Sequence, residues 1–187
     1  MRRLVLAGLA ALTTLALGTG TAATRVIERE HYSGTESSSF DDCGFTLNVE
    51  STFSGVFHFR VHKGGEAFLV HDNYKFRDVL TNPATGRSFV TRGNGLYHEL
   101  NATQVSGTIY EFVALESGQP FVIEDSSGRV VVRDRGVIRT RFLFDTLGDG
   151  MPGGEFVELL EVSVHGPHPG FADDFPFCEI AARLTGA

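Results

Sequence analysis

The chain has 187 residues, with 16 basic and 23 acidic side chains and a formal charge of −7. That length allows one well-buried core and not several. The acidic balance argues against nucleic acid, whose phosphates call for a basic surface, and against docking on anionic membranes.

In chain order, Arg2 and Arg3 precede an uncharged apolar run from Leu4 to Leu17, and the small residues Gly18 to Ala23 follow. This pattern predicts a cleavable export signal over residues 1–23. The run is shorter than the roughly 20 residues a membrane span needs. Cleavage is expected after Ala23, with Ala22 as the alternative. Processing would take two Arg and no acid, leaving one secreted domain over 24–187 with 14 basic and 23 acidic residues, a charge of −9. An extracellular location with no membrane insertion follows, and so does oxidation of the two cysteines: Cys43 and Cys178 are expected to pair, tying the domain's start to its end.

The rest of the chain reads as strands and turns. From Phe45 to Val61 apolar side chains fall on odd positions and polar ones on even positions, the period of a half-buried strand. A bend at Gly55 or a hairpin at Ser51–Thr52 is expected within it. Phe68 to Leu80 repeats the alternation on even positions, and Asn82-Pro83-Ala84-Thr85-Gly86 is a turn by composition. Further strands are expected over Arg87–Leu100 (interrupted at Gly93-Asn94-Gly95), Thr108–Glu116, Phe121–Glu124, Val130–Thr146 and Phe156–Val164. A short helix near Phe177–Leu184 closes the chain. The fold class is all-β, with about eight antiparallel strands in an up-and-down or meander β-barrel; a β-sandwich is the alternative.

Chemical motifs are few. Gly148-Asp149-Gly150-Met151-Pro152-Gly153 matches a dinucleotide-binding pattern, but a strand and not a helix follows it. Asp145 to Phe156 starts like a calcium loop, yet Leu147 and Phe156 stand where ligands belong, so no calcium site is expected. His58 and His62 are about 13 Å apart along a strand, too far to share a metal. His165 and His168, among prolines, read as a rigid surface loop. Arg129, Arg133, Arg135, Arg139 and Arg141 share one parity, with Arg139 expected to face Glu161. No metal and no cofactor is implied.

One group stands out. If the hairpin from Phe68 to Leu100 centres on Ala84, then Asp72 and Tyr74 share a face with Arg92, Asn94 and His98. That face also carries Phe68, Val70, Phe76, Val90 and Leu96 and should point inward. Inward polar groups must be hydrogen-bonded or line a wet cavity, so these five are the candidate ligand-binding residues.

The chain resembles a group of uncharacterised secreted proteins from actinobacteria. The resemblance rests on His71-Asp72-Asn73-Tyr74, Thr81 to Gly86, Arg92 to Gly95, Glu116 to Phe121, Asp134-Arg135-Gly136, Phe144 to Asp149 and Gly166 to Phe171. It implies export and a compact β domain, and brings no activity and no functional residues. The expected function is a non-catalytic module binding a small molecule or an extracellular partner. Alternatives are a cyclase- or isomerase-type enzyme using Asp72, His98 and Arg92, and a structural protein without a ligand.

Overall fold

The computed structural model describes residues 26–63 and 65–187. The expected signal segment lies outside them. Eight strands form one antiparallel sheet: β1 (Val26–Phe40), β2 (Leu47–Val61), β3 (Phe68–Thr81), β4 (Ser88–Ser106), β5 (Ile109–Glu124), β6 (Val130–Arg133), β7 (Gly136–Asp145) and β8 (Glu155–His165). The order is β1-β2-β3-β4-β5-β7-β8, with β6 pairing the far end of β5. It is a meander, and β1 and β8 remain edges of an open sheet. A helix, α1 (Phe177–Thr185), ends at Gly186 in the left-handed conformation, φ 70°.

Several elements differ from expectation. The strands expected over Thr108–Glu116 and Phe121–Glu124 are one continuous strand, β5. β1 was not foreseen, because its sequence lacks an apolar face and most of it is exposed. The expected Val130–Thr146 strand is broken at Asp134-Arg135, where Asp134 N–H donates to Phe121 O and Arg135 N–H to Pro167 O. The break anchors the loop after β8. Asp134 accepts from the Gly170 N–H at 2.8 Å, and the His168 ring is buried 4.0 Å from Asp134 Oδ2. His168 is therefore interior and not part of a surface loop. β2 runs straight through Gly55 with neither a hairpin nor a break.

Directly paired residues share a face of a sheet, so the registers define two sides. The side against which α1 packs is called inner here. Its first core cluster joins Leu47, Leu80, Phe89 and Ile123 to Ile180 and Ala181 of the helix. A second cluster gathers Ala67, Leu69, Ala102, Tyr110 and Phe112, with Phe142 and Phe144 packed against it; Ala102, Tyr110, Phe112, Phe142 and Phe144 are inner by register, whereas Leu69 pairs with Arg60. Cys43, in the β1–β2 connection, is bonded to Cys178 in the first turn of α1, which fixes the helix over one end of the inner face.

Candidate functional site

Residue 71 pairs with 98 and 80 with 89, so the β3–β4 hairpin centres between Ala84 and Thr85. The expected centre at Ala84 is off by one in the pairing sum. The turn holds six residues, closed by Asn82 N–H to Arg87 O and by Asn82 Oδ1 accepting from the Ala84 N–H at 2.9 Å. A slip of one in register exchanges the faces of a strand. Asp72 and Tyr74 are inner, whereas Arg92, Asn94 and His98 are outer. The five residues are not one cluster, and Asp72 cannot share a substrate with His98 and Arg92.

On the outer side, Arg92 holds Glu124 through Nε at 2.8 Å and Nη2 at 2.7 Å, and Asn94 is exposed. His98 ends a cross-strand row: the rings of His58 and His71 are 4.5 Å apart, and those of His71 and His98 4.9 Å. Arg60 Nη2 lies 2.6 Å from His98 Nε2. An arginine can only donate, so that nitrogen accepts and His98 is neutral in this contact. Burial and the neighbouring Arg60 depress its pKa, and those of His58 and His71 fall for related reasons. Farther along, Arg141 binds Glu111 at 2.8 Å and Glu161 at 2.9 Å. Glu161 sits opposite Arg141, and Arg139 reaches it from the next pair at 4.0 Å.

The inner face carries a different chemistry. Asp72 opposes Tyr97, and Tyr97 opposes Glu116. One row away, Gly55 opposes Tyr74, which opposes Gly95. Tyr32 crosses over Gly55 and donates to Asp72 Oδ2 at 3.0 Å; Tyr74 crosses over Gly95 and donates to Glu116. The same device occurs twice: an aromatic lies over a glycine of the next strand and reaches an acid on the strand beyond. A Cβ at Gly55 would collide with the Tyr32 ring and lie 2.6 Å from Asn73 O. Tyr97 donates to Glu99 Oε1 at 3.1 Å, and Tyr110 to Glu66 Oε2 at 2.8 Å. All four tyrosines of the chain thus donate to carboxylates. Burial and the acceptor Asp72 push Tyr32 up to about 12. Burial raises Tyr74 and Tyr97 as well, with Glu116 and Glu99 adding to it.

Among the described residues, inner-face positions of β1 to β5 and β7 hold acids (Glu28, Glu30, Glu36, Asp72, Asp78, Glu99 and Glu116) and no Lys, Arg or His. Where β2 to β5 and β7 come together, the face forms a partly open cavity of about 260 Å³ lined by Phe59, Phe68, Val70, Glu99, Phe112 and Phe144, with Thr146 and Gly153 beyond β7. Glu99 is 7% exposed, and its Oε2 accepts from the Val70 N–H at 2.7 Å. Open clefts of 580 and 600 Å³ lie elsewhere, but they are shallow grooves walled largely by polar side chains. The small aromatic cavity with one buried carboxylate is the better-formed site.

Burial raises the pKa of Glu99 against the lowering effect of its hydrogen bonds from Val70 and Tyr97. The folded chain holds this proton more tightly than the unfolded one. Its contribution to stability is therefore full below the ordinary glutamate range, near 4.5, and is lost as pH rises through the raised value. Glu99→Gln should remove that component. Urea midpoints taken between about pH 4 and pH 8 should converge on or cross those of the variant as pH rises. A constant difference between the two proteins would show that Glu99 titrates normally.

Compared with known proteins, the chain matches no family model, no curated protein and no solved structure. Sequence reasoning missed Tyr97, Glu99 and Glu116. The available signal was the odd parity that Tyr97 and Glu99 share with Phe89 in β4, which puts a tyrosine and an acid on the buried side.

Proposed function

We propose that this protein is an exported, non-catalytic module that binds a small, largely apolar molecule in the Phe-lined cavity of its inner face. The observation that carries the reading is the cavity itself. Apolar rings surround it, and Glu99 supplies one fixed polar anchor at its wall. Such a composition is typical of small-molecule sites, where apolar walls give affinity and a few polar groups set orientation. A dry cavity of about 150 Å³ suffices for benzene, so 260 Å³ suits a compact ligand somewhat larger than one aromatic ring. The Cys43–Cys178 disulfide fits an oxidising compartment, in keeping with the export signal expected at residues 1–23.

No pair of groups at the cavity is set up for acid–base catalysis. Glu99 is already engaged by two donors, and the histidines nearest in sequence lie on the other side of the sheet. This favours binding over a cyclase or isomerase reaction.

The test is a titration with 2-phenylethanol followed by backbone amide NMR. Shifts should concentrate at Phe59, Val70, Phe112 and Phe144. Val70→Phe fills the cavity and should weaken the dissociation constant at least tenfold while the fold is kept. Shifts scattered over the surface, or unchanged affinity in the variant, would move the site elsewhere.

A further inference from the structure

The cavity's walls and the charge on the surrounding face say which small molecules it should prefer. We infer that the ligand is an organic cation, an alkyl- or arylammonium whose charged end sits against Glu99 within the ring of phenylalanines. The inference rests on the cavity being a binding site.

Three observations converge. First, Phe59, Phe68, Phe112 and Phe144 line the cavity, and Phe112 and Phe144 meet edge to face at 5.7 Å between centroids. The faces of aromatic rings carry negative potential and attract ammonium groups. Second, Glu99 is the charged group in the lining, and each of its oxygens accepts one hydrogen bond. A carboxylate oxygen can accept a second, so the anchor keeps capacity for an N–H or a close positive charge. Both present partners are donors, and they hold the carboxylate in place for a donor and not for another acceptor. Third, the described inner-face positions around the cavity bear acids and no cation. Among the described residues, the partners of Glu99, Glu116 and Asp72 are uncharged: tyrosine hydroxyls and, for Glu99, the Val70 N–H. The acids of these strand positions favour a cation over an anion at the cavity.

The arrangement also explains an otherwise costly choice of residue. A carboxylate in an aromatic pocket is penalised by desolvation, which is what raises the pKa of Glu99. An ammonium ligand would offset that penalty by pairing with the charge. A neutral ligand would leave it in place.

The experiment compares two near-isosteres on the wild-type protein at about pH 7.5: 2-phenylethylammonium, which is charged, and 2-phenylethanol, which is not. Calorimetric or NMR titration should give the ammonium at least tenfold tighter binding, with shifts at Phe112 and Phe144. Glu99→Gln should remove that preference, bringing the two affinities within about twofold of each other. Equal affinities, or tighter binding of the alcohol, would overturn the cation assignment and leave the cavity standing as a binding site. Binding of neither compound would overturn both. The wild-type comparison decides the question even if Glu99→Gln fails to fold.

Discussion

Replacing both cysteines, Cys43→Ser with Cys178→Ser, is expected to lower the unfolding free energy by about 4 kcal/mol. The bond joins residues 135 apart. Cutting it releases a long loop in the unfolded chain, for which loop-entropy models give about 4–5 kcal/mol. The folded state loses little directly, since Ile180, Ala181 and Thr185 stay buried against the sheet as long as α1 remains docked. The effect should therefore appear mainly as a lower urea midpoint, with a slope that rises if the cross-linked unfolded state had been more compact. A loss below about 1 kcal/mol would mean that the reduced chain keeps its ends together without the bond. α1 would then be held mainly by packing and by the Thr85 hydroxyl, which donates to Thr185 O at 2.7 Å.

Gly55→Val is expected to cost about 3 kcal/mol or more, since overpacking costs 1–3 kcal/mol where side chains can yield and more where the backbone must move. Here a first new carbon would lie 2.6 Å from the backbone oxygen of Asn73, on the paired strand β3. It would also displace Tyr32 and strand Asp72 without its donor. Gly95→Val should behave alike, because its Cβ would lie 2.8 Å from the Tyr74 hydroxyl and 2.9 Å from Ser117 O. Tyr32→Phe separates the two causes: it keeps the ring over Gly55 and removes only the hydrogen bond, so it should cost about 1 kcal/mol. Denaturant titration of these variants checks the ordering. If Gly55→Val proved as mild as Tyr32→Phe, β1 and β3 would have to move apart easily.

Much of the architecture was legible. Alternation from Phe45 to Val61 marks β2, and that from Phe68 to Leu80 marks β3, because one side of each strand is buried. β1 escaped notice since an edge strand with Glu28, Glu30 and Glu36 facing inward carries no apolar period; pairing with β2 alone makes it a strand. The candidate cluster failed at the turn. Composition identified Asn82 to Gly86 as a turn but could not count its residues, and one residue decides the parity of all that follows. Arg92, Asn94 and His98 changed sides on that count. Asp72 and Tyr74 kept theirs, and Tyr97, Glu99 and Glu116 join them. The break at Asp134 depends on a carboxylate meeting the Gly170 N–H from 36 residues away, which no local pattern encodes.

The meander also shapes how the molecule can be made. From β1 to β5 each strand is bonded to the one before it, so a chain emerging N-terminus first can lay down each strand on an edge already present. Sequence-local pairing of this kind favours fast assembly, since little loop entropy is lost before contacts form. The exceptions come last. β6 and β7 must share β5 across their break, and α1 must return to the first hairpin to bring Cys178 to Cys43. Until α1 is available, the cover over Leu47, Leu80 and Phe89 is missing and Cys43 lacks Cys178. An oxidised pair therefore marks a chain that has been made at least through Cys178 and whose helix has docked on the first hairpin.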